Sequence, residues 1–431
     1  MRTPRVVILG GGFGGLNAAK ALDGAPVEVT VIDRTNHHLF QPLLYQVAMA
    51  TLAPSDVTAP IRWLLRKQAN TTVLLADVRR VEPARRVVVI DDEREIPYDF
   101  LVVATGSRHS YFGHDDWEPL APGLKSLEDA LEVRRRFLLA YERAEKSEDA
   151  AERARLLTFV LVGGGPTGVE LAGILPEIAR SALKDDFRRI DPATTRVILV
   201  EAGPRLLPAF PASLAARARR DLERLGVEVR TGVAVTAMAP GAVTIGDETV
   251  AAGTVFWAAG NAASPIARSL GAPLDRAGRV LVQPDLSVPG RPEIYVVGDL
   301  MHLVQDGQPL PGVAQVAIQG GRRAARNLLL ATRGAPGQPF RYFDKGNLAT
   351  IGRNRAVADF GFARVGGFVA WVIWLFVHIL YLAGFRNRLT VLVQWGYAYL
   401  TRQRGVRLIT EMESGAHVDG ASARPVIKPG W

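Results

Sequence analysis

Four short apolar runs stand out along the chain: Val6–Leu9, VEVTVID ending in Asp33, Val160–Val162, and RVILVE ending in Glu201. Val6–Leu9 and Val160–Val162 are apolar on both faces, as expected of a buried parallel strand, and the other two read as the strands that follow them. Two of them lead straight into glycine-rich turns and then into small, apolar, helix-like residues, VVILGGGFGGLNAAK and FVLVGGGPTGVELAG. Later strands are predicted in REIPYDFLVVATG, ETVAAGTVFWAAG and EIYVVGDL, the last followed by a helix from about Gly312. Between the two glycine turns, LKSLEDALEVRRRFLLAYERAEKSEDAAERAR reads as a long helical connector whose charges suit a solvated face. ATRGAPGQP, Ala331 to Pro339, reads as a loop or linker.

Gly10, Gly12 and Gly15 fit the pattern G-x-G-x-x-G, and so do Gly163, Gly165 and Gly168. In such a turn the first glycine permits the tight bend and the second lets backbone approach a pyrophosphate. The third lets helix pack closely on strand, and the helix N-terminus faces the phosphates. Asp33 ends the next strand eighteen residues past Gly15, where a carboxylate accepts hydrogen bonds from a ribose. Glu201 takes the corresponding place in the second copy, delayed by the long stretch PEIARSALKDDFRRIDPATT. Gly106 follows Gly15 by 91 positions, and Gly260 follows Gly168 by 92. Two modules of one plan, in one order and of nearly one length, indicate an internal duplication.

A length of 431 residues allows about three domains. A hydrophobic fraction of 48% with 22% charged residues excludes a disordered chain. The chain has no cysteine, which excludes disulfides, thiolate-ligated metals, iron–sulfur clusters and redox dithiols. Its seven histidines show no metal-ligand spacing. The start runs directly into a core strand, so no secretory leader and a cytoplasmic start are expected. The net charge of +9 suits an anionic lipid surface or nucleic acid. No nucleic-acid signature accompanies it, and lipid is the better reading.

The arrangement resembles the two-dinucleotide-binding-domain flavoproteins. The absence of cysteine sets aside their disulfide reductases, peroxidases and sulfide:quinone reductases. DRTNHHLFQPLLYQVA, PLPGVAQVAIQGGRRAARN, DKGNLATIGR and GGGPTGVELAG together resemble the type II NADH:quinone oxidoreductases, over essentially the whole chain to about Thr410. The resemblance implies an α/β fold of two Rossmann-like domains, for FAD and for NADH, plus a C-terminal helical membrane-binding segment. The FAD-binding domain is then discontinuous, residues 1–115 and 273–335. A helical connector follows over 116–155, an NADH-binding domain over 156–272 and a membrane-anchoring region over 336–431. It also implies hydride transfer from NADH to FAD and then electron transfer to a membrane quinone. Carried over residue by residue, FAD contacts are expected at Gly10, Gly12, Gly15, Asp33, Pro42, Val78, Thr105, Gly106 and Asp299, with backbone donors at Ala314 and Gln315. NADH contacts are expected at Gly163, Gly165, Gly168, Glu170, Glu201 and Gly260. Gln315 and Gln319, four apart on one helical face, are expected on the quinone side, and Glu170 as the link between the NADH site and the flavin. Plainer alternatives are polar residues on a helix flank for the glutamines and a carboxylate favoured by the dipole of a first helical turn for Glu170. The nearest alternative enzyme is a soluble ferredoxin-type NADH reductase; one of another class is a flavin-bearing redox sensor with little turnover.

From Val365 to Phe385 runs VGGFVAWVIWLFVHILYLAGF, without Asp, Glu, Lys or Arg and with one histidine, His378. Its 21 residues match a bilayer-spanning length of about 20. The flanking Arg364, Arg386 and Arg388 suit an interface, and a monotopic anchor on the cytoplasmic face is favoured over a single C-terminal span or a buried core helix. LTVLVQWGYAYLTRQRGVR then adds a second amphipathic helix, whose basic fringe meets anionic lipid. One apolar segment offers no multi-helix proton path, so the reaction is expected not to pump protons. His378 is read either as a proton relay or as a core histidine bonded to a backbone carbonyl. The sequence leaves a homodimer open.

Overall fold

The computed structural model describes residues 2–401 and 406–409. In the first half, strands β1 (Arg5–Leu9), β2 (Glu28–Asp33), β3 (Thr71–Leu75) and β4 (Phe100–Val103) are parallel. In the second, β5 (Thr158–Val162), β6 (Arg196–Glu201), β7 (Val227–Thr231) and β8 (Thr254–Trp257) repeat the arrangement. Both sheets have their strands in the order third, second, first, fourth. The first sheet is extended beyond β4 by β9 (Arg291–Val296) and an antiparallel edge piece, Ser287–Val288. Each module also carries a three-stranded antiparallel sheet between its third and fourth parallel strands, opening at Val78 in one and Val235 in the other.

Helix α1 (Phe13–Ala21) follows the first glycine turn and packs against α4 (Ala314–Ala331), which starts two residues later than the sequence pattern suggests. The connector is α2 (Leu127–Lys146) plus the short helix Ala150–Leu156. Ser126 caps α2 by accepting from Asp129 N at 3.1 Å, while Asp129 accepts from Ser126 N at 2.9 Å. Helix α3 (Pro166–Ser181) follows the second glycine turn.

The C-terminal region departs most from expectation. Residues 365–385 are not one helix. Their first residues lie in β12 (Arg364–Gly367), paired antiparallel with β11 (Ala356–Asp359), which pairs in turn with β10 (Asn347–Thr350). The helix α5 covers only Phe368–Tyr381, fourteen residues or about 21 Å at the usual rise. The chain then turns at Gly384, with φ of +87°, into α6 (Phe385–Thr401). A bilayer core of about 30 Å exceeds α5, and no helix among the described residues is long and apolar enough to cross a membrane. This corrects the single-span alternative. The sheet pairing of Val365, Gly366 and Gly367 is what shortens the helix. Nor is the region a detached anchor: Ala349, Ile351, Val357, Ala370, Trp374, Leu382 and Val391 are buried in the same core as Phe159, Val169 and Phe256. Arg402 and Arg404 of the expected basic fringe, and the last residues from 410, lie outside the described residues.

Candidate functional site

The two glycine turns are superimposable in chemistry. Gly10 and Gly163 have φ of +97° and +113°, where glycine is strongly favoured, and a Cβ would stand 2.5 Å from Ala104 O and 2.7 Å from Ala258 O. A Cβ on Gly15 or Gly168 would collide with the carbonyl of Gly10 or Gly163. At Gly12 and Gly165, the N-caps of α1 and α3, a Cβ would meet nothing within 4 Å. Open space at each helix N-terminus is what a pyrophosphate requires. Gly11 N donates to Asp33 Oδ2 at 2.5 Å, and Gly164 N donates to Glu201 Oε2 at 2.6 Å. The other oxygen of Asp33 accepts from Thr35 N and Oγ1, and that of Glu201 from Gly203 N at 2.6 Å.

The ends of the two modules meet at a cavity of about 200 Å³, whose lining includes Tyr45, Lys125, Glu170, Trp257, Gly260 and Asp299. Asp299 Oδ2 accepts from Ser107 Oγ at 2.9 Å, and Lys125 Nζ donates to the same hydroxyl at 2.9 Å. Desolvation lowers the Lys125 ammonium, partly offset by Asp299 and Asp129. Thr105 Oγ1 and Gln315 Oε1 are buried without a partner, the orphaned groups expected where a polar ligand belongs. Pro42 lies in the 3₁₀ turn Gln41–Leu43 and Val78 opens a hairpin strand paired with Ile90. Gly106 and Gly260, with φ of +66° and +72°, lie three residues past the ends of the fourth strands of their modules. Clefts of 520 and 750 Å³ lie away from these residues, lined by the connector and the second module. Their arginines Arg135, Arg136 and Arg155 are paired with Glu132 and Glu152.

Helix α4 begins at Ala314, so the N–H groups of Ala314 and Gln315 have no acceptor within the helix, while Val316 and Ala317 both donate to Val313 O. The two glutamines divide. Gln315 keeps its acceptor free, whereas Gln319 exchanges two hydrogen bonds with the backbone of Phe343, at 2.9 and 3.0 Å. Glu170 is buried, and lies in the second turn of α3 rather than the first, because the helix starts at Pro166. The dipole of a first turn therefore does not account for it. Burial pushes its carboxyl up to about 8 against the hydrogen bond from the Thr350 backbone. His378 Nδ1 donates to Trp374 O at 2.7 Å, its ring stacks on Trp374, and desolvation holds it down at about 4. That is the environment of a core histidine bonded to a carbonyl.

Sequence reasoning passed over Lys125, Tyr45, Gln46, Arg134 and Trp395. Arg134 is buried and donates to Val47 O and Leu52 O, fixing the loop that carries Tyr45 and Gln46. Apart from the motif DRTNHHLFQPLLYQVA containing Tyr45 and Gln46, no local signal marks these residues.

Residues 4–321 match the family described as pyridine nucleotide-disulphide oxidoreductase, and residues 345–403 match the NDH2 C-terminal domain. The type II NADH:quinone oxidoreductase Ndh of Mycobacterium tuberculosis is 46% identical over 96% of this chain and 92% of its own length. The chain belongs to the type II NADH:quinone oxidoreductase family. NdhA of the same organism is likewise 46% identical, over 94% of this chain and 89% of its own. The structure of NDH2 from Plasmodium falciparum in complex with NADH shares the fold, with a TM-score of 0.85, 19% identity and coverage of 95% and 100% of the two chains. The family's C-terminal domain separates this chain from the ferredoxin-type alternative, and the missing cysteines remove any disulfide step from the broader family's chemistry.

Proposed function

We propose that the chain oxidises NADH and reduces a membrane quinone through FAD held by the first module, the second module binding NADH. The observation that carries this reading is the pair of equivalent dinucleotide turns, one in each module, together with a cavity bordered by Glu170 and Gly260 of the second module and by Asp299 and Gly312, two residues before α4. FAD supplies a carrier that accepts a hydride and returns two electrons. The chain's residues bind and orient around it. Gly10, Gly12 and Gly15 cradle the pyrophosphate, Asp33 takes the ribose and Asp299 a ribityl hydroxyl, while Thr105 and Gly106 close the first sheet's end. Pro42 and Val78 flank the ring and the adenine. Gly163, Gly165, Gly168, Glu201 and Gly260 play the equivalent parts for NADH. The free N–H groups of Ala314 and Gln315 face developing negative charge, a helix-end effect of about 0.3–2 kcal/mol. Glu170, protonated at neutral pH, holds a proton at its carboxyl beside the cavity, and Gln315 offers its side chain to the quinone. Gln319 supports that side by holding Phe343.

Phe368, Val369, Phe376 and Leu380 of α5 and Leu389, Leu392 and Val393 of α6 are exposed and apolar, with Arg364 and Arg386 beside them, which supports a monotopic seat on anionic lipid; the cytoplasmic face is the side we propose for it. Steady-state NADH oxidation with a short-chain quinone tests the whole reading. Turnover should require quinone and ignore ferredoxin; oxidation that stops after one equivalent would identify a sensor instead. Sealed proteoliposomes should show only the protons consumed by quinone chemistry. A larger pH change inside would overturn the non-pumping reaction.

A further inference from the structure

A line of hydrogen bonds joins α6 to the cavity. Trp395 Nε1 donates to Gln46 Oε1 at 2.8 Å, Gln46 Nε2 donates to Tyr45 OH at 3.1 Å, and Tyr45 OH stands 3.2 Å from Thr350 Oγ1. The directions are forced at the outer end. An indole N–H only donates, so the Gln46 oxygen must face it and the amide nitrogen must face Tyr45. The phenol, accepting there, keeps its proton for a further acceptor. Gln46, Tyr45 and Thr350 are buried, and the Thr350 backbone N–H serves the Glu170 carboxyl. Tyr45 and Glu170 both line the cavity.

Both ends of this line are placed to transmit a position. On α6, Leu389, Leu392, Val393 and Tyr397 form an exposed apolar face, while Val391 and Trp395, four apart, turn inward. The start of α6 rests on the same loop region, where Asn387 Nδ2 donates to Thr58 O at 2.8 Å. Arg134 of α2 holds the carbonyls of Val47 and Leu52, so the segment carrying Tyr45 and Gln46 is tied down at a second place.

We propose that the Trp395–Gln46–Tyr45–Thr350 line is a latch through which the seating of α6 positions the cavity wall beside Glu170, with Trp395 and Gln46 as positioning residues for the quinone half of the reaction. This rests on the proposed function, with the Glu170 carboxyl beside the cavity taken to serve the quinone half rather than the NADH half. A buried hydrogen bond left with one partner costs most, so breaking the latch should misplace the wall without unfolding it.

Trp374 provides the control. Its ring stacks on Trp395 with centroids 5.4 Å apart, yet its own Nε1 is buried without a partner. Trp395→Phe, Gln46→Met and Trp374→Phe would be compared in lipid vesicles by stopped-flow and by amide exchange. Trp395→Phe and Gln46→Met should each slow reoxidation by quinone roughly three- to tenfold, the net value of about one buried hydrogen bond. The double variant should be no slower than the worse single one, reduction by NADH should stay near wild type, and exchange should quicken over residues 44–52 and 347–351. Trp374→Phe should do none of this. The latch is overturned if Trp374→Phe matches Trp395→Phe, if the two latch variants multiply in effect, or if exchange near Thr350 is unchanged. Failure of wild type itself to be reoxidised by quinone would sink the functional reading instead, and exchange would still decide the latch.

Discussion

The two dinucleotide modules share strand order, glycine geometry and the carboxylate that ties the second strand back to the turn, and they differ in what covers them. The first is completed by β9 and by α4, which begins two residues after the cavity-lining Gly312. The second has no fifth strand among the described residues and is backed by the C-terminal sheet instead: a Cβ on Gly173 of α3 would stand 2.6 Å from Gly352 N, and Arg353 N donates to Glu177 Oε1 at 2.6 Å. One turn chemistry thus serves two roles. Completion by an extra strand and helix suits a resident cofactor, and a module without them suits a substrate that must leave after each turnover.

The comparison breaks most severely if the backing of the second module is removed. A chain ending at Gly361 loses Ala370, Trp374, Leu382 and Val391 from the shared core. Burial of such side chains contributes about 1.5–3 kcal/mol for each large one, against a total stability of about 5–15 kcal/mol. We expect the truncated protein to be insoluble or to lose its cooperative thermal transition, rather than to survive as a detached soluble reductase. Scanning calorimetry checks this. The next effect separates the modules. Gly15→Val should give protein without bound flavin, while Gly168→Val should retain flavin yet bind NADH about a hundredfold more weakly, ~3 kcal/mol for a side chain forced against a backbone carbonyl. Flavin absorbance per protein and NADH titration read the two; equal loss of flavin in both would erase the assignment.

Glu170 sharpens it next. Its carboxyl is raised to about 8 from 4.5 by burial. The folded state therefore binds a proton that the unfolded state has released, and stability falls as pH rises from about 4.5 through 8. Relative to Glu170→Gln, the wild type should lose on the order of a few kcal/mol across that window, seen as Tm curves that diverge with rising pH. Parallel curves would mean an ordinary carboxylate. The smallest effect is expected at Glu201, which holds the N–H groups of Gly164 and Gly203. Glu201→Gln should lower kcat/KM for NADH about tenfold and narrow its advantage over NADPH, because a carboxylate there repels a 2′-phosphate. Arg205, which donates to Pro208 O, is the nearby group able to receive that phosphate. Equal kcat/KM for both cofactors in the wild type would refute the NADH assignment.

The sequence alone determined the duplication, the two dinucleotide turns, their carboxylates and the family, because each is set by a local demand. A positive φ, a carbonyl within a Cβ's reach or a buried strand leaves its mark on the residues of the turn itself, and the carboxylates, 22 and 37 residues from the turns they hold, are found by ending the next strand of the same plan. Only the tertiary structure decided how Val365–Phe385 divides between strand and helix, since the pairing of β12 with β11 overrides an unbroken apolar run. It also decided that Gln319 is committed to Phe343 while Gln315 is not, that Glu170 is buried at the cavity wall, and that Tyr45 meets Thr350 and Gln46 meets Trp395 across separations of 305 and 349 residues. Such contacts depend on which surfaces the folded chain brings together, and neither periodicity nor motif spacing encodes a partner that far away.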